Sequence, residues 1–144
     1  MPAPARPRLS VVTVTYKDPE GLAQTIESLR GCTNWEHVVV DSSPELNREV
    51  LARLDRSWPL KHVVQQPKGI YPAMNLGVVE ATGSYVWLLN SRDRMKDAGV
   101  LQEMLDFLDA SPRTGIACAA VERTRDGKSE YLWDPGTNFF RSTL

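Results

Sequence analysis

Residues 66–95, QPKGIYPAMNLGVVEATGSYVWLLNSRDRM, constrain the fold of this chain more than any other stretch. Ile70, Ala73, Met74, Gly77, Val78 and Ala81 recur at i, i+3, i+4, i+7, i+8 and i+11, the spacing of one helix face. Pro72 suits that helix only in its first turn, where its missing N–H has no intrahelical acceptor to lose. Thr82-Gly83 is a helix stop. Residues 85–89 are then apolar without alternation, the pattern of a central strand covered on both faces. Polarity jumps at Asn90-Ser91-Arg92-Asp93. Polar residues just past the C-terminal end of a buried strand are where an α/β fold binds ligands. That cluster is therefore a candidate site, with a solvated loop as the plainer reading.

The rest of the chain repeats the alternation. Leu9–Thr15, LSVVTVT, is short and β-branched, a buried strand. Asp18 is an N-cap candidate with Pro19 at the first helical position. Leu22, Thr25, Ile26 and Leu29 form a helix stripe that Gly31 ends. Residues 35–40 are a second strand ending at Asp41. Ser42-Ser43-Pro44 turns into a second helix, in which Leu46, Val50 and Leu54 repeat every four residues with Leu51 beside them, and Trp58-Pro59 breaks it. Residues 60–65 are a third strand. After the organising stretch, Asp97 is a candidate cap for a fourth helix with the stripe Leu101, Met104, Leu105 and Leu108, ended by Ser111-Pro112. Residues 115–122 read as a fifth strand, and Asp126-Gly127 as a hairpin turn into residues 129–133. Strands alternating with helices imply right-handed βαβ units. The expected class is α/β: a Rossmann-like, three-layer α/β/α fold on a mainly parallel sheet. Residues 1–8 are proline-rich and read as loose, leaving 9–144 as a single domain.

Composition removes several classes of function. Seventeen basic and eighteen acidic residues give a net charge of -1, with no polycationic face for nucleic acid and no basic run for a membrane. No apolar run approaches the ~20 residues of a transmembrane helix. The opening MPAPARPRLS lacks the apolar centre of a secretory signal, so a soluble cytoplasmic protein is the expectation. Cys32 and Cys118 are too few for a disulfide framework and lack metal-ligand spacing. Cys118 lies in an apolar run and reads as a small core residue. No G-x-G-x-x-G follows the first strand and no Walker A motif is present. Neither cysteine has a catalytic partner near it in sequence. A dehydrogenase, a P-loop enzyme and a cysteine nucleophile are disfavoured.

In a parallel sheet the C-terminal strand ends share one edge, so Thr15-Tyr16, Asp41-Ser42 and residues 90–93 can converge. Tyr16 can stack on a planar ring, which for a base is worth about 1–3 kcal/mol. Asp41 can accept a hydrogen bond from a ring N–H. Asp93 is a hard oxygen ligand for Mg²⁺ or Mn²⁺, which a diphosphate would share. Lys68 can meet a phosphate as a point charge. Together these describe a nucleotide-diphosphate pocket. Each has a plainer reading: Tyr16 as a half-buried loop aromatic, Asp41 as a cap of the second helix, Lys68 and Asn75 as surface residues. His37 and His62 lie inside expected strands, away from the polar edge, and read as structural.

These residues resemble the N-terminal half of the GT-A glycosyltransferases of family two, inverting enzymes that use nucleotide-diphosphate sugars. LSVVTVTY, residues 9–16, is similar to that family's first strand and Pro-Thr-Tyr-Asn turn, with Val14 and Lys17 in place of Pro and Asn. VVVDSS, residues 38–43, is similar to its second strand, with Ser42-Ser43-Pro44 in place of an Asp-Gly-Ser loop. KGIYPAMNLG and ATGSY, residues 68–77 and 81–85, are similar to a run of one bacterial branch that makes envelope polysaccharides and glycolipids. LNSRD, residues 89–93, resembles that branch's form of the family's Asp-x-Asp motif, with Ser91 in the place of the first Asp. The resemblance implies that Thr15, Tyr16 and Asp41 hold the base, usually uracil, and that Asp93 binds the divalent metal on the diphosphate. The candidate set for the nucleotide sugar is Thr15, Tyr16, Asp41, Lys68, Asn75, Asn90, Ser91 and Arg92. Arg92 puts a cation beside the metal ligand, where it could repel Mg²⁺ or grip the diphosphate.

In that family the second half carries the acceptor site and the catalytic base. The chain is therefore expected to be truncated at its C-terminus relative to the family. The expectation is that it binds a nucleotide sugar, a UDP-sugar, yet transfers little unless a second copy or partner chain completes the site. Of the late carboxylates Glu122, Asp126, Glu130 and Asp134, none sits in a motif that marks a base; Asp134 is the least implausible. Trp133, Phe139 and Phe140 are expected to leave an exposed apolar surface. Two other readings stay open: a non-catalytic module that binds a nucleotide sugar or a partner, and a different doubly wound protein. A response regulator is disfavoured because Tyr16-Lys17-Asp18 offers one carboxylate where that family needs a cluster.

Overall fold

The structure is a computed structural model that describes residues 6–133. It divides into two compact units, with the boundary after Ala98. The first contains β1 (Leu9–Thr15), α1 (Pro19–Ser28), β2 (Trp35–Asp41), α2 (Pro44–Ala52), β3 (Leu60–Val64), α3 (Ile70–Glu80) and β4 (Tyr85–Leu88). The strands form one sheet in the order β3-β2-β1-β4, with every pairing parallel. The chain steps outward from β1 to β3, and α3 then carries it back across the sheet to β4. The helices therefore fall on both faces. Val12, Val14, Val38 and Val40 pack under Ala73, Met74 and Leu76 of α3 on one face. Val39 packs with Leu22 and Ile26 of α1, with Val50 and Leu51 of α2 and with Leu54 just beyond it on the other. This is the expected three-layer α/β/α arrangement.

Three helix or strand faces differ from the sequence reading. On α3 the buried residues are Ala73 and Gly77, whereas Ile70 and Val78 are 48% and 46% exposed. The smallest side chains face the sheet because the helix comes very close: a Cβ on Gly77 would lie 2.2 Å from Val12 Cγ1 and 3.2 Å from Val40 Cγ2. On α2 the fully buried residue is Asn47, and Leu46 is exposed. There a polar contact, described below, outweighs the apolar stripe. Strand β4 is not central among the described residues. It pairs with β1 alone, and Val86 and Leu88 are exposed because α3 lies over β1 and β2.

His37 is structural, as expected. It is fully buried, accepts from Trp58 Nε1 at Nδ1 (3.3 Å), and has Nε2 2.9 Å from Thr13 Oγ1. Because an indole N–H only donates, Nδ1 is the acceptor and Nε2–H donates to Thr13. Burial pushes its pKa down to about 3, so it stays neutral.

The second unit contains α4 (Ala98–Ala110) and the antiparallel hairpin of β5 (Val121–Arg125) and β6 (Lys128–Trp133). Leu101 and Leu105 of the expected α4 stripe are buried. Asp126 and Gly127, with φ of 49° and 73°, make the two-residue turn that such a hairpin requires. The turn sets Arg125 opposite Lys128, and pairing runs back only to Val121. The fifth strand therefore starts at Val121 rather than at residue 115, and Cys118 is exposed in an irregular segment rather than in the core. Arg123 and Arg125 both pair with Glu130, at 3.6 and 3.3 Å. Asp134, Phe139, Phe140 and the side chain of Trp133 lie outside the described residues, as do residues 1–5 of the N-terminal segment.

Two outcomes test this packing. Gly77→Ala should lower stability in urea melts by about 1–3 kcal/mol, despite alanine's better helix propensity, because the methyl has no space over Val12. Stability should also fall as the pH drops below about 6.5, the unfolded histidine value. The unfolded chain binds a proton there that His37 refuses, at a slope of up to about 1.4 kcal/mol per pH unit. His37→Gln should flatten that slope, whatever its effect at neutral pH.

Candidate functional site

Strand β1 has β2 on one side and β4 on the other, so the strand order reverses at β1 and β4. The crevice beyond the C-terminal ends at such a point is where open α/β sheets take ligands. Backbone hydrogen bonds fix the floor of that crevice. Thr15 is in register with Asp41. Ser42 N donates to Thr15 O at 3.0 Å, Gln65 N to Asp41 O at 3.0 Å, and Ser91 N to Val14 O at 3.1 Å. Residues 90–93, Thr15, Asp41 and Gln65 thus lie in line along one edge. Tyr16 follows Thr15 with its ring 53% exposed, and Lys17 Nζ lies 5.1 Å from the ring centroid. Lys68 is exposed in the loop that leads from this edge into α3, and Asn75 is exposed on α3.

Asp41 is fully buried. Its Oδ1 accepts from Ser43 N at 2.8 Å and Asn47 Nδ2 at 2.7 Å, and His62 Nε2 lies 3.0 Å from its Oδ2. As placed, Asp41 braces the start of α2, the plainer of its two readings, and is not presented to solvent. His62, expected away from the polar edge, is on it. It stands in register with Val39, two residues before Asp41, close enough for a long side chain to reach diagonally. Ser43 Oγ accepts from Lys17 N at 2.8 Å, joining the β1–α1 and β2–α2 turns.

The loop after β4 is held by α1. Thr25 Oγ1, fully buried, lies 2.7 Å from Asp93 O and 3.2 Å from Asn90 O. Arg92 N donates to Gly21 O at 3.1 Å. The Arg92 guanidinium forks onto Asp18, with Nη2 2.5 Å from Oδ1 and Nε 3.3 Å from Oδ2. Ser91 Oγ reaches Asp18 Oδ2 at 3.1 Å, and Gly21 N donates to Asp18 Oδ1 at 3.1 Å. Arg92 is therefore neutralised by Asp18 and in this arrangement neither repels a cation nor grips a phosphate. The hydrogen bond from Arg92 is the main reason the Asp18 carboxyl is held below the usual range, with Gly21 and Ser91 adding to it and burial opposing. Asp93 is exposed and has no such partner among the described residues; partial desolvation pushes its carboxyl up, offset only in part by the Asn90 N–H.

Four buried side-chain polar atoms among the described residues have no hydrogen-bond partner: Thr15 Oγ1, Asn47 Oδ1, Gln65 Nε2 and Asn90 Oδ1. All four belong to residues at this edge. Native proteins pair nearly all such atoms, and each left unpaired costs about 1–3 kcal/mol. Their concentration here marks a place that a polar ligand would complete. The donor set also suits a hard cation at its minimum. Among the described residues no three His, Cys, Asp or Glu side chains form a group. Mg²⁺, however, commonly takes one or two carboxylates when substrate phosphates supply the rest, and Asp93 meets that count.

Sequence reasoning missed Thr25, Ser43, Asn47, His62 and Gln65, and took Asp18 only as a cap. A signal existed for those on helices. In a βαβ unit each helix starts at the C-terminal edge, so Asp18, Ser43 and Asn47 had to lie near the site. Asp18→Asn should keep the Gly21 cap and lose the ion pair, and Asp18→Ala should cost about 1 kcal/mol more through the lost cap. A carboxyl with a lowered folded pKa stabilises above its unfolded pKa and loses that contribution as pH falls through the folded one. Wild type and Asp18→Asn should therefore differ at neutral pH and converge in strong acid, as read by chemical melts.

Comparison with known sequences agrees with this geometry. Residues 10–143 match the family described as Glycosyl transferase family 2. The chain is also similar to an uncharacterized glycosyltransferase of Mycobacterium tuberculosis strain CDC 1551, 32% identical over 107 residues, which is 71% of this chain and 40% of that protein. The same figures hold for an uncharacterized glycosyltransferase of strain H37Rv. The match thus spans less than half the length of these relatives. With most of the chain inside the family match and a parallel sheet whose polar edge carries the family's motif positions, the chain belongs to glycosyl transferase family 2.

Proposed function

We propose that this chain holds the nucleotide-diphosphate sugar donor, a UDP-sugar, for an inverting glycosyl transfer in bacterial polysaccharide or glycolipid synthesis. The observation that carries the reading is the set of four unpartnered buried polar atoms on the edge beside the exposed Tyr16 ring. Tyr16 stacks on the base, and Thr15 and Asp41 read its polar edge. Asn90 and Ser91 line the path to the sugar, with Lys68 and Asn75 at the outer rim. Asp93 would hold Mg²⁺ or Mn²⁺, which when bound offsets charge on the departing diphosphate. The chain's own contribution is to fix this loop in advance: α1 pins residues 90–93 through Thr25, Gly21 and Asp18, so a bound diphosphate need not order it.

Inversion requires a base that takes the proton of the acceptor hydroxyl as its oxygen attacks the anomeric carbon. Of the carboxylates assigned to the site, Asp18 is engaged by Arg92, Asp41 is buried and Asp93 is assigned to the metal; Glu20 and Glu45 stand in the first turns of α1 and α2. That inventory favours donor binding over complete transfer by these residues alone. A non-catalytic nucleotide-sugar module is the second reading for the same reason. No helix among the described residues is long and apolar enough to cross a membrane.

Calorimetry with UDP and a panel of UDP-sugars, with and without Mn²⁺, tests the reading. UDP should bind, and more tightly with metal. Tyr16→Ala should weaken it by about 1–3 kcal/mol. Asp93→Asn should abolish the metal increment while leaving metal-free binding. In the absence of metal Asp93→Asn should also melt no lower than wild type at neutral pH, because it removes a partly desolvated charge, and the difference should vanish in acid. Absence of UDP binding under every condition would refute the proposal.

A further inference from the structure

The carboxylate of Asp41 is divided unequally. Its Oδ1 is taken by Ser43 N, at the N-cap of α2, and by Asn47 Nδ2, on α2 itself, both on nearly or fully buried residues. Its Oδ2 is met by His62 Nε2 at 3.0 Å. That partner differs in kind: it stands on β3, at the margin of the sheet, and its side chain is 32% exposed. Beside it is a groove of about 490 Å³ lined by Pro44, Glu45, Arg48, Leu51, Ala52 and His62 itself. The imidazole therefore has somewhere to go. Apolar surface from Pro44, Leu51 and Ala52 can cover its ring, and Glu45 can accept its N–H. The charged or titratable groups facing it are Asp41, Glu45 and Arg48.

The strand order adds the second half of the argument. β2 and β1 are adjacent and Thr15 is in register with Asp41, so their side chains stand side by side on one face of the sheet. Thr15 Oγ1 is buried without a partner. A hydroxyl donor thus stands beside a carboxylate oxygen. Its complement is a ring N–H next to a carbonyl, as the imide edge of uracil presents. Only Oδ2 is left to take the ring N–H, and His62 occupies it.

We propose that His62 is an exchangeable stopper on the base-reading pair Asp41–Thr15. Its imidazole keeps the buried carboxylate paired in the empty site, and it moves into the α2–β3 groove when an imide base arrives. The inference rests on the reading of this edge as a uridine-nucleotide site. Binding then includes the cost of breaking the His62–Asp41 hydrogen bond, and affinity is lower than the Asp41–Thr15 pair itself would give.

The test is calorimetry of wild type, His62→Ala and His62→Gln with UDP, CDP and pyrophosphate. His62→Ala should bind UDP about ten-fold tighter than wild type, near the low end of what a net hydrogen bond to a charged group is worth. It should bind pyrophosphate unchanged, because the effect is confined to the base. His62→Gln, which keeps a donor, should stay close to wild type, and all three should prefer UDP to CDP. In wild type, the His62 ring resonances should shift on saturation with UDP and not with pyrophosphate. UDP binding by wild type with equal or weaker binding by His62→Ala would overturn the stopper and leave the donor-site reading intact. Should His62→Ala fail to fold, ring resonances unmoved by saturating UDP would overturn it equally. Failure of all three folded proteins to bind UDP would remove both.

Discussion

β1 has no free side. All seven of its residues are buried, with a strand on each edge and a helix layer on each face. The geometry of the functional edge follows from that confinement. A strand so enclosed cannot slip, because a one-residue shift would send Val12 and Val14 to the face of Thr13 and Thr15. Thr15 is therefore fixed between the end of β2 and the loop after β4, and the exposed Tyr16 ring begins where the enclosure ends. The close approach of α3 at Gly77 belongs to the same constraint. It keeps the return crossing low over β1 and β2 and leaves β4 uncovered on that face.

Two of the connections that leave this edge are braced by carboxylates, and in the same way. Asp18 gathers Gly21 N, Ser91 and Arg92; Asp41 gathers Ser43 N, Asn47 and His62. Each ties the start of a helix to a neighbouring segment of the sheet edge. Ser43 Oγ links the two systems through Lys17 N. A loop held by several hydrogen bonds loses less entropy when a ligand arrives, which is how preorganisation raises affinity without new contacts. The difference lies in exposure. Arg92 clasps Asp18 from the surface, where an ion pair contributes little to stability. The Asp41 system is buried, where an unpaired carboxylate would be costly.

The sheet, its direction and its polar edge were legible because they depend on local pattern. Runs such as LSVVTVT and HVVVD can only be buried strands, and alternation with helices makes them parallel. Partnerships were not legible, because they depend on which strands become neighbours. Nothing in the sequence places His62 beside Asp41 until β3 is known to flank β2. The α2 stripe failed for a related reason: Asn47 turns inward to satisfy Asp41, a requirement that hydrophobic periodicity does not register. The fifth strand failed because an apolar run, residues 115–120, was weighed above the turn at Asp126-Gly127 that sets the hairpin register. Arg92 was read as a free cation because its partner, Asp18, lies 74 positions away.

Three carboxylates at one edge thus have three different environments. Asp18 has a cation on it, and its proton affinity is lowered. Asp41 is enclosed by donors on both oxygens. Asp93 is exposed yet partly desolvated, with no cation paired to it among the described residues, and its proton affinity is raised. A divalent ion stabilises a carboxylate in proportion to how poorly the protein already does so. Asp18 would have to surrender Arg92 and Asp41 its buried donors, whereas Asp93 has no ion pair among the described residues to break. The position of Arg92 sharpens this contrast. By turning its charge onto Asp18, it clears positive charge from the neighbouring Asp93. The Arg92 charge is thus directed to Asp18 rather than set against a cation at Asp93.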